Sequence, residues 1–224
     1  MKKLADVSSI VENFELFGTQ LNSFVEEINA KVRKGVEDDT TFSIHGKSSR
    51  DTDNGRSKWI NVAVSLSIPI KARSNSKTVY LSFIIELTSQ RIFGQQLKAD
   101  LAETPLLHVA ISSVQAAFNN QVGDCWIAQI PPASDEDFQL EDSALWVWGW
   151  EGADKRPFDF RNGHMLFSYP LEVFSGPAEV EKHLVDPLIK ILNGDPPAEA
   201  LKGAPLIRYQ LNDDKSSYSL LVKM

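Results

Sequence analysis

Cysteine is nearly absent: Cys125 is the only one in 224 residues. That excludes an intramolecular disulfide framework and any multi-cysteine zinc site. Beside Trp126 and Ile127, a lone thiol reads as a small buried residue. Long hydrophobic runs are missing as well. No window of about 18 uncharged apolar residues occurs, so no segment is built to cross a bilayer as a helix, and no membrane is expected as a partner. The start, Met1-Lys2-Lys3-Leu4-Ala5, has the basic opening of a signal peptide, but Asp6, Ser8, Ser9 and Glu12 interrupt the apolar stretch that export requires. The expected location is the cytoplasm. Catalytic motifs are lacking too: there is no GxSxG elbow, no HExxH and no Rossmann glycine pattern. His45, His108, His164 and His183 never stand three or four apart, which removes a helical metal pair. Gly46-Lys47-Ser48 imitates the end of a phosphate-binding loop, yet Phe42 stands where that loop needs glycine. No metal and no cofactor are expected.

What is present is ordinary globular material, 42% hydrophobic and 24% charged. From Leu4 to Val32, apolar residues including Val7, Val11, Phe14, Leu21, Ile28 and Val32 recur at spacings of three or four, the mark of an amphipathic helix. Ser9 with Glu12 suggests a capping box, Gly18 a division into two helices, and Lys31, Arg33, Lys34 and Gly35 a basic last turn with a glycine stop. Such a helix is long enough to lie across a sheet or to pair with a second copy. The period then changes to two. Ile60, Val62, Val64, Leu66, Ile68 and Ile70 alternate with smaller or polar residues, and after a short turn Val79, Leu81, Phe83, Ile85 and Leu87 do the same. This predicts a long antiparallel hairpin, because the connection is too short for a parallel crossover.

Further along, two short helices are expected at Gln95 to Glu103 and Leu106 to Phe118, divided by Pro105. Strands are expected at Trp126 to Ile130, Leu145 to Trp150 and Met165 to Val173. A helix over residues 177 to 193 should kink or restart at Pro187, and a hairpin, Leu206 to Leu211 with Tyr218 to Val222, closes the chain. The expected fold class is α+β: one domain over residues 1–224, with a mainly antiparallel twisted sheet of about six to eight strands, a long N-terminal helix and a C-terminal-region helix packed on it.

Charge is unevenly placed. Net charge is −7, which argues against a surface that coats nucleic acid or anionic membrane as a whole. Residues 45 to 77 nevertheless hold seven cations against Asp51 and Asp53, whereas residues 133 to 160 hold eight carboxylates against Lys155 and Arg156. Trp146, Trp148 and Trp150 alternate along one strand and are expected to pack mostly in the core beneath a helix. Lacking recognisable catalytic geometry, the chain reads as a non-enzymatic binding or adaptor protein acting through a protein partner or as a homo-oligomer. The alternative is a phosphate-ligand or nucleic-acid binder, with hydrolase activity left open, using the basic loop 47–58, expected to be a mobile loop without core residues. Lys47, Arg50, Arg56, Lys58 and Arg73 are the candidate binding residues under either reading.

Overall fold

The computed structural model describes residues 5–53, 63–72, 77–87, 105–113, 138–148, 163–211 and 218–221. The N-terminal apolar stripe folds as one helix, α1 (Ala5–Asp39), whose 35 residues make it about 52 Å long at 1.5 Å per residue. Leu21, Val25, Ile28, Val32 and Val36 bury its core-facing stripe. Three expectations about its boundaries are corrected. Ser9 lies within the helix, Gly18 does not divide it, and Gly35 does not end it. Gly35 is a point of close approach: a Cβ there would stand 3.1 Å from Ile189 Cδ1 and 3.2 Å from Val185 Cγ1. The stop comes at Asp39. There Thr40 Oγ1 donates to the Val36 carbonyl at 2.7 Å and accepts from the Phe42 N–H at 3.1 Å, while Asn193 Nδ2 donates to the Asp39 carbonyl at 2.8 Å. These bonds satisfy groups that a helix end leaves without partners.

Eight strands follow: β1 (Phe42–Ile44), β2 (Ser49–Asp53), β3 (Ala63–Ala72), β4 (Thr78–Glu86), β5 (Leu106–Ser112), β6 (Phe138–Glu141), β7 (Leu145–Trp148) and β8 (His164–Pro170). They form one sheet in the order β1-β3-β4-β5-β8-β7-β6, with β2 also paired to β3. All of these pairings are antiparallel. The α+β class and the long β3–β4 hairpin are as expected. Leu106 to Ser112 is a strand, however, not a helix. All seven of its residues are buried, so both faces are covered and the alternation that marks a strand is absent. The segment from Lys47 to Lys58 is likewise not all loop, because Ser49–Asp53 pairs along β3 from Ser67 to Ala63. An all-polar strand gives no hydrophobic signal; the backbone ladder holds it, and its charged residues suit a sheet edge.

One face of the sheet carries Val64, Leu66, Ile68 and Ile70 of β3 and their apolar counterparts on β4, β5, β7 and β8, joined with the α1 stripe in one core. The helical run after β8 closes the same core beside α1. It comprises α2 (Pro177–Val180), a π-helical turn (Glu181–Val185) and α3 (Asp186–Leu192). Pro187 explains the irregular turn. Having no N–H, it cannot donate to the carbonyl of His183 four residues back; the Tyr169 hydroxyl, rising from β8, donates to that carbonyl instead. Lys31 Nζ meets Glu181 Oε2 at 2.7 Å, a polar contact between α1 and this run. After α4 (Pro197–Ala200), the chain ends in the expected hairpin, β9 (Arg208–Leu211) with β10 (Tyr218–Leu221).

Candidate functional sites

Of the five basic candidates, Arg56, Lys58 and Arg73 lie outside the described residues, as do Cys125, Trp150 and the expected elements at Gln95 to Glu103 and Trp126 to Ile130. Lys47 sits on a bulge. Between the pairs Ile44↔Ile70 and Ser49↔Ser67, four residues oppose two on β3, and Gly46 takes φ 98° in the excursion. Helix α1 clasps this bulge: Arg33 Nη1 donates to Ser48 Oγ at 3.1 Å, and Ser48 Oγ donates to Asn29 Oδ1 at 2.7 Å. Lys47 is exposed. Arg50 projects from β2 towards α1, where its guanidinium donates to Asn22 Oδ1. The structure therefore engages Arg50 in joining the sheet edge to α1.

Sequence reasoning missed a chain of polar side chains in the middle of the sheet, on the face away from α1. His108 on β5 is the cross-strand partner of Ser168 on β8, and Glu86 on β4 sits diagonally from His108. His108 Nδ1 lies 2.8 Å from Ser168 Oγ, and Tyr209 OH donates to that same Oγ at 3.1 Å. With the Ser168 hydroxyl donating its hydrogen bond to Nδ1, His108 carries its hydrogen on Nε2, which faces Glu86 Oε2 at 3.5 Å. That last separation is longer than a good hydrogen bond. Ser67 and Ser82, 3.0 Å apart, and Ser112 with His164, 2.7 Å apart, extend the buried polar surface on the same face. Burial lowers the affinity of the His164 ring for a proton.

Serine, histidine and glutamate in this order resemble a nucleophile, base and acid. Glu86, His108, Ser168 and Tyr209 are each no more than 1% exposed, however. The Ser168 hydroxyl is enclosed in this structure, and the network links buried polar groups across β4, β5 and β8. A one-residue slip of β5 would drive His108 into the apolar face and Val109 onto the polar one. Burial also pushes the phenols of Tyr169 and Tyr209 well above the ordinary 10.0, with hydrogen bonds to Ser168 and Trp146 partly opposing this at Tyr209. A phenol harder to ionise when folded contributes stability that is complete below about pH 10 and is lost as pH rises from there towards the folded-state value. Alkaline titration of unfolding should thus show a steep fall in stability, shallower in Tyr209→Phe; equal slopes would show that Tyr209 ionises as freely folded as unfolded.

Trp146 is buried as expected, and among the described residues it is a strand residue, not a helix, that covers it. It stands on the face opposite α1, and Tyr209 of β9 covers it edge-on with ring centroids 5.4 Å apart. The chain entering β9 is fastened by Ile207 N–H to the Ser168 carbonyl at 2.8 Å and by Tyr209 N–H to the Ser143 carbonyl at 2.5 Å. The β6–β7 turn it grips is strained: Asp142 and Ser143 adopt φ of 48° and 59°. Neither is glycine, so each costs on the order of 1 kcal/mol, and surrounding contacts must hold it. Arg208 Nη1 supplies one by donating to the Asp142 carbonyl at 2.8 Å. Between this turn and the residues around α4 opens a cleft of about 420 Å³, lined among others by Asp142, Leu145, Leu201, Lys202 and Arg208.

The last candidate surface lies on α1. Leu16 is 57% exposed and Phe17 38%, the exposed large hydrophobics among the described residues. They precede Leu21, the first buried residue described on the helix.

With the α+β architecture and these surfaces defined, comparison with known proteins adds no relative: no family model, no curated protein and no solved structure matches this chain. No described helix is long and apolar enough to cross a membrane.

Proposed function

We propose that the chain is a non-enzymatic binding or adaptor protein of the cytoplasm, acting through a protein partner engaged by the N-terminal half of α1. The observation that carries this reading is the exposure of Leu16 and Phe17 on α1, just before Leu21, the first buried residue described on the helix. In the sequence, Val7, Val11 and Phe14 continue the spacing of the buried stripe. Adjacent exposed leucine and phenylalanine are more apolar than a solvated helix end needs, and aromatic anchors carry much of the energy of protein interfaces. The buried serine, histidine and glutamate do not favour an enzyme, because they are enclosed. Engagement of Arg50 with Asn22 leaves the phosphate or nucleic-acid alternative without a supporting observation at the described part of the loop 47–58.

The test is Leu16→Asp combined with Phe17→Asp. Stability should change by no more than about 0.5 kcal/mol per site, as at ordinary surface positions. Proteins captured natively by the tagged chain, then purified and measured by calorimetry, should bind the variant about 100-fold more weakly or not at all. A partner indifferent to the double substitution, or a large drop in melting temperature showing that these residues serve the fold, rejects the proposal.

A further inference from the structure

We propose that the cleft between the β6–β7 turn and the residues around α4 binds a small organic anion, a carboxylate or phosphate monoester carried on a short apolar body. This site is separate from the α1 surface and does not depend on it. Its volume of about 420 Å³ falls within the usual span of small-molecule sites, roughly 300 to 1,000 Å³. The lining combines what such a ligand needs. Leu145 and Leu201 are buried and give an apolar floor, with half-buried Leu206 beside them. Lys202 and Arg208 bring two cations against the single carboxylate of Asp142.

The cations differ in how they are held. Arg208 is anchored by one N–H on the Asp142 carbonyl, and the planar guanidinium has five such donors, so others remain for an incoming oxyanion. Lys202 is an exposed side chain whose contact with Glu199 is long, at 3.6 Å, and easily given up. Fixing one donor beforehand lowers the ordering cost of binding; the exposed lysine can then close on the ligand. The left-handed Asp142–Ser143 turn is held in place by the same arginine and by the Tyr209 N–H, so strain and ligand-facing charge converge at one wall. Gly203, at φ 77° with no atom within 4 Å of a built Cβ, leaves the neighbouring lining open.

Phenyl phosphate and phenylacetate are suitable probes, with neutral phenylacetamide as the control, each titrated into the full chain by calorimetry and by proton NMR. At least one anion should bind about 10-fold more tightly than the amide, a difference one charged contact can supply. Phosphate preferred over carboxylate, or the reverse, decides the head group. Lys202→Ala should weaken the anion about 5-fold without moving the melting temperature, and Ala198→Trp, which fills the cleft from α4, should abolish binding of the anion. Equal affinity for amide and anion, no binding of either anion, or binding unchanged in both variants overturns the proposal. A lowered melting temperature for Ala198→Trp transfers the decision to Lys202→Ala, which leaves the packed floor untouched.

Discussion

Glu86→Leu is expected to lower folding stability by about 1 to 3 kcal/mol, the penalty for removing one partner from a buried polar contact. The loss comes less from the Glu86 to His108 contact, which is long at 3.5 Å, than from what remains: a histidine at 0% exposure whose orientation is also tied to Ser168. The sharper expectation concerns the combination. Replacing Glu86 and His108 by leucine and Ser168 by alanine together should cost at least about 2 kcal/mol less than the sum of the single changes, because the network is then removed as a unit and apolar groups of similar volume can pack. Denaturant unfolding of the three single variants and the triple variant measures this. Costs that simply add would show that the residues act independently.

Trp146→Ala is expected to cost about 3 to 5 kcal/mol, typical of deleting a buried indole. Two contributions arise at once. A cavity opens on the sheet face opposite α1, and Tyr209 loses the ring it packs against at 5.4 Å. Because β9 is held through Tyr209 and Ile207, the amides of these two residues should exchange with solvent faster in the variant, by more than the global loss alone explains. Trp146→Phe should keep part of the contact and cost less. Hydrogen exchange and chemical denaturation test both statements, and a Trp146→Ala chain of unchanged stability would show that the covering hairpin does not depend on this residue.

Elements with a strong local period were readable from the residues. The stripe from Leu21 to Val32 and the alternation through Val64 to Ile70 and Val79 to Ile85 appear at those positions as α1, β3 and β4. The closing β9–β10 hairpin was equally clear from its two short strand patterns around Asn212-Asp213-Asp214-Lys215. Where both faces of a strand are buried, as in β5, the period vanishes and Leu106 to Ser112 imitates a helix. Where a strand has no apolar residue, as in β2, nothing distinguishes it from a loop. Gly35 shows the same ambiguity in a single residue: glycine ends helices and also admits close packing, and only the approach of Val185 and Ile189 tells which applies.

The candidate sites divide along the same line. Short-range spacing sufficed for the long amphipathic helix, the antiparallel hairpins and the α+β class, because each depends on residues within one or two turns or one strand of each other. Glu86, His108, Ser168 and Tyr209 meet only because β4, β5 and β8 pair in register and β9 folds back over them. The cleft at Lys202 and Arg208 needs the β6–β7 turn brought against α4, and the exposure of Leu16 and Phe17 depends on which part of α1 the core covers. Long-range pairing and burial are properties of the packed chain, set by which surfaces exclude water together, and no local pattern of residue types carries them.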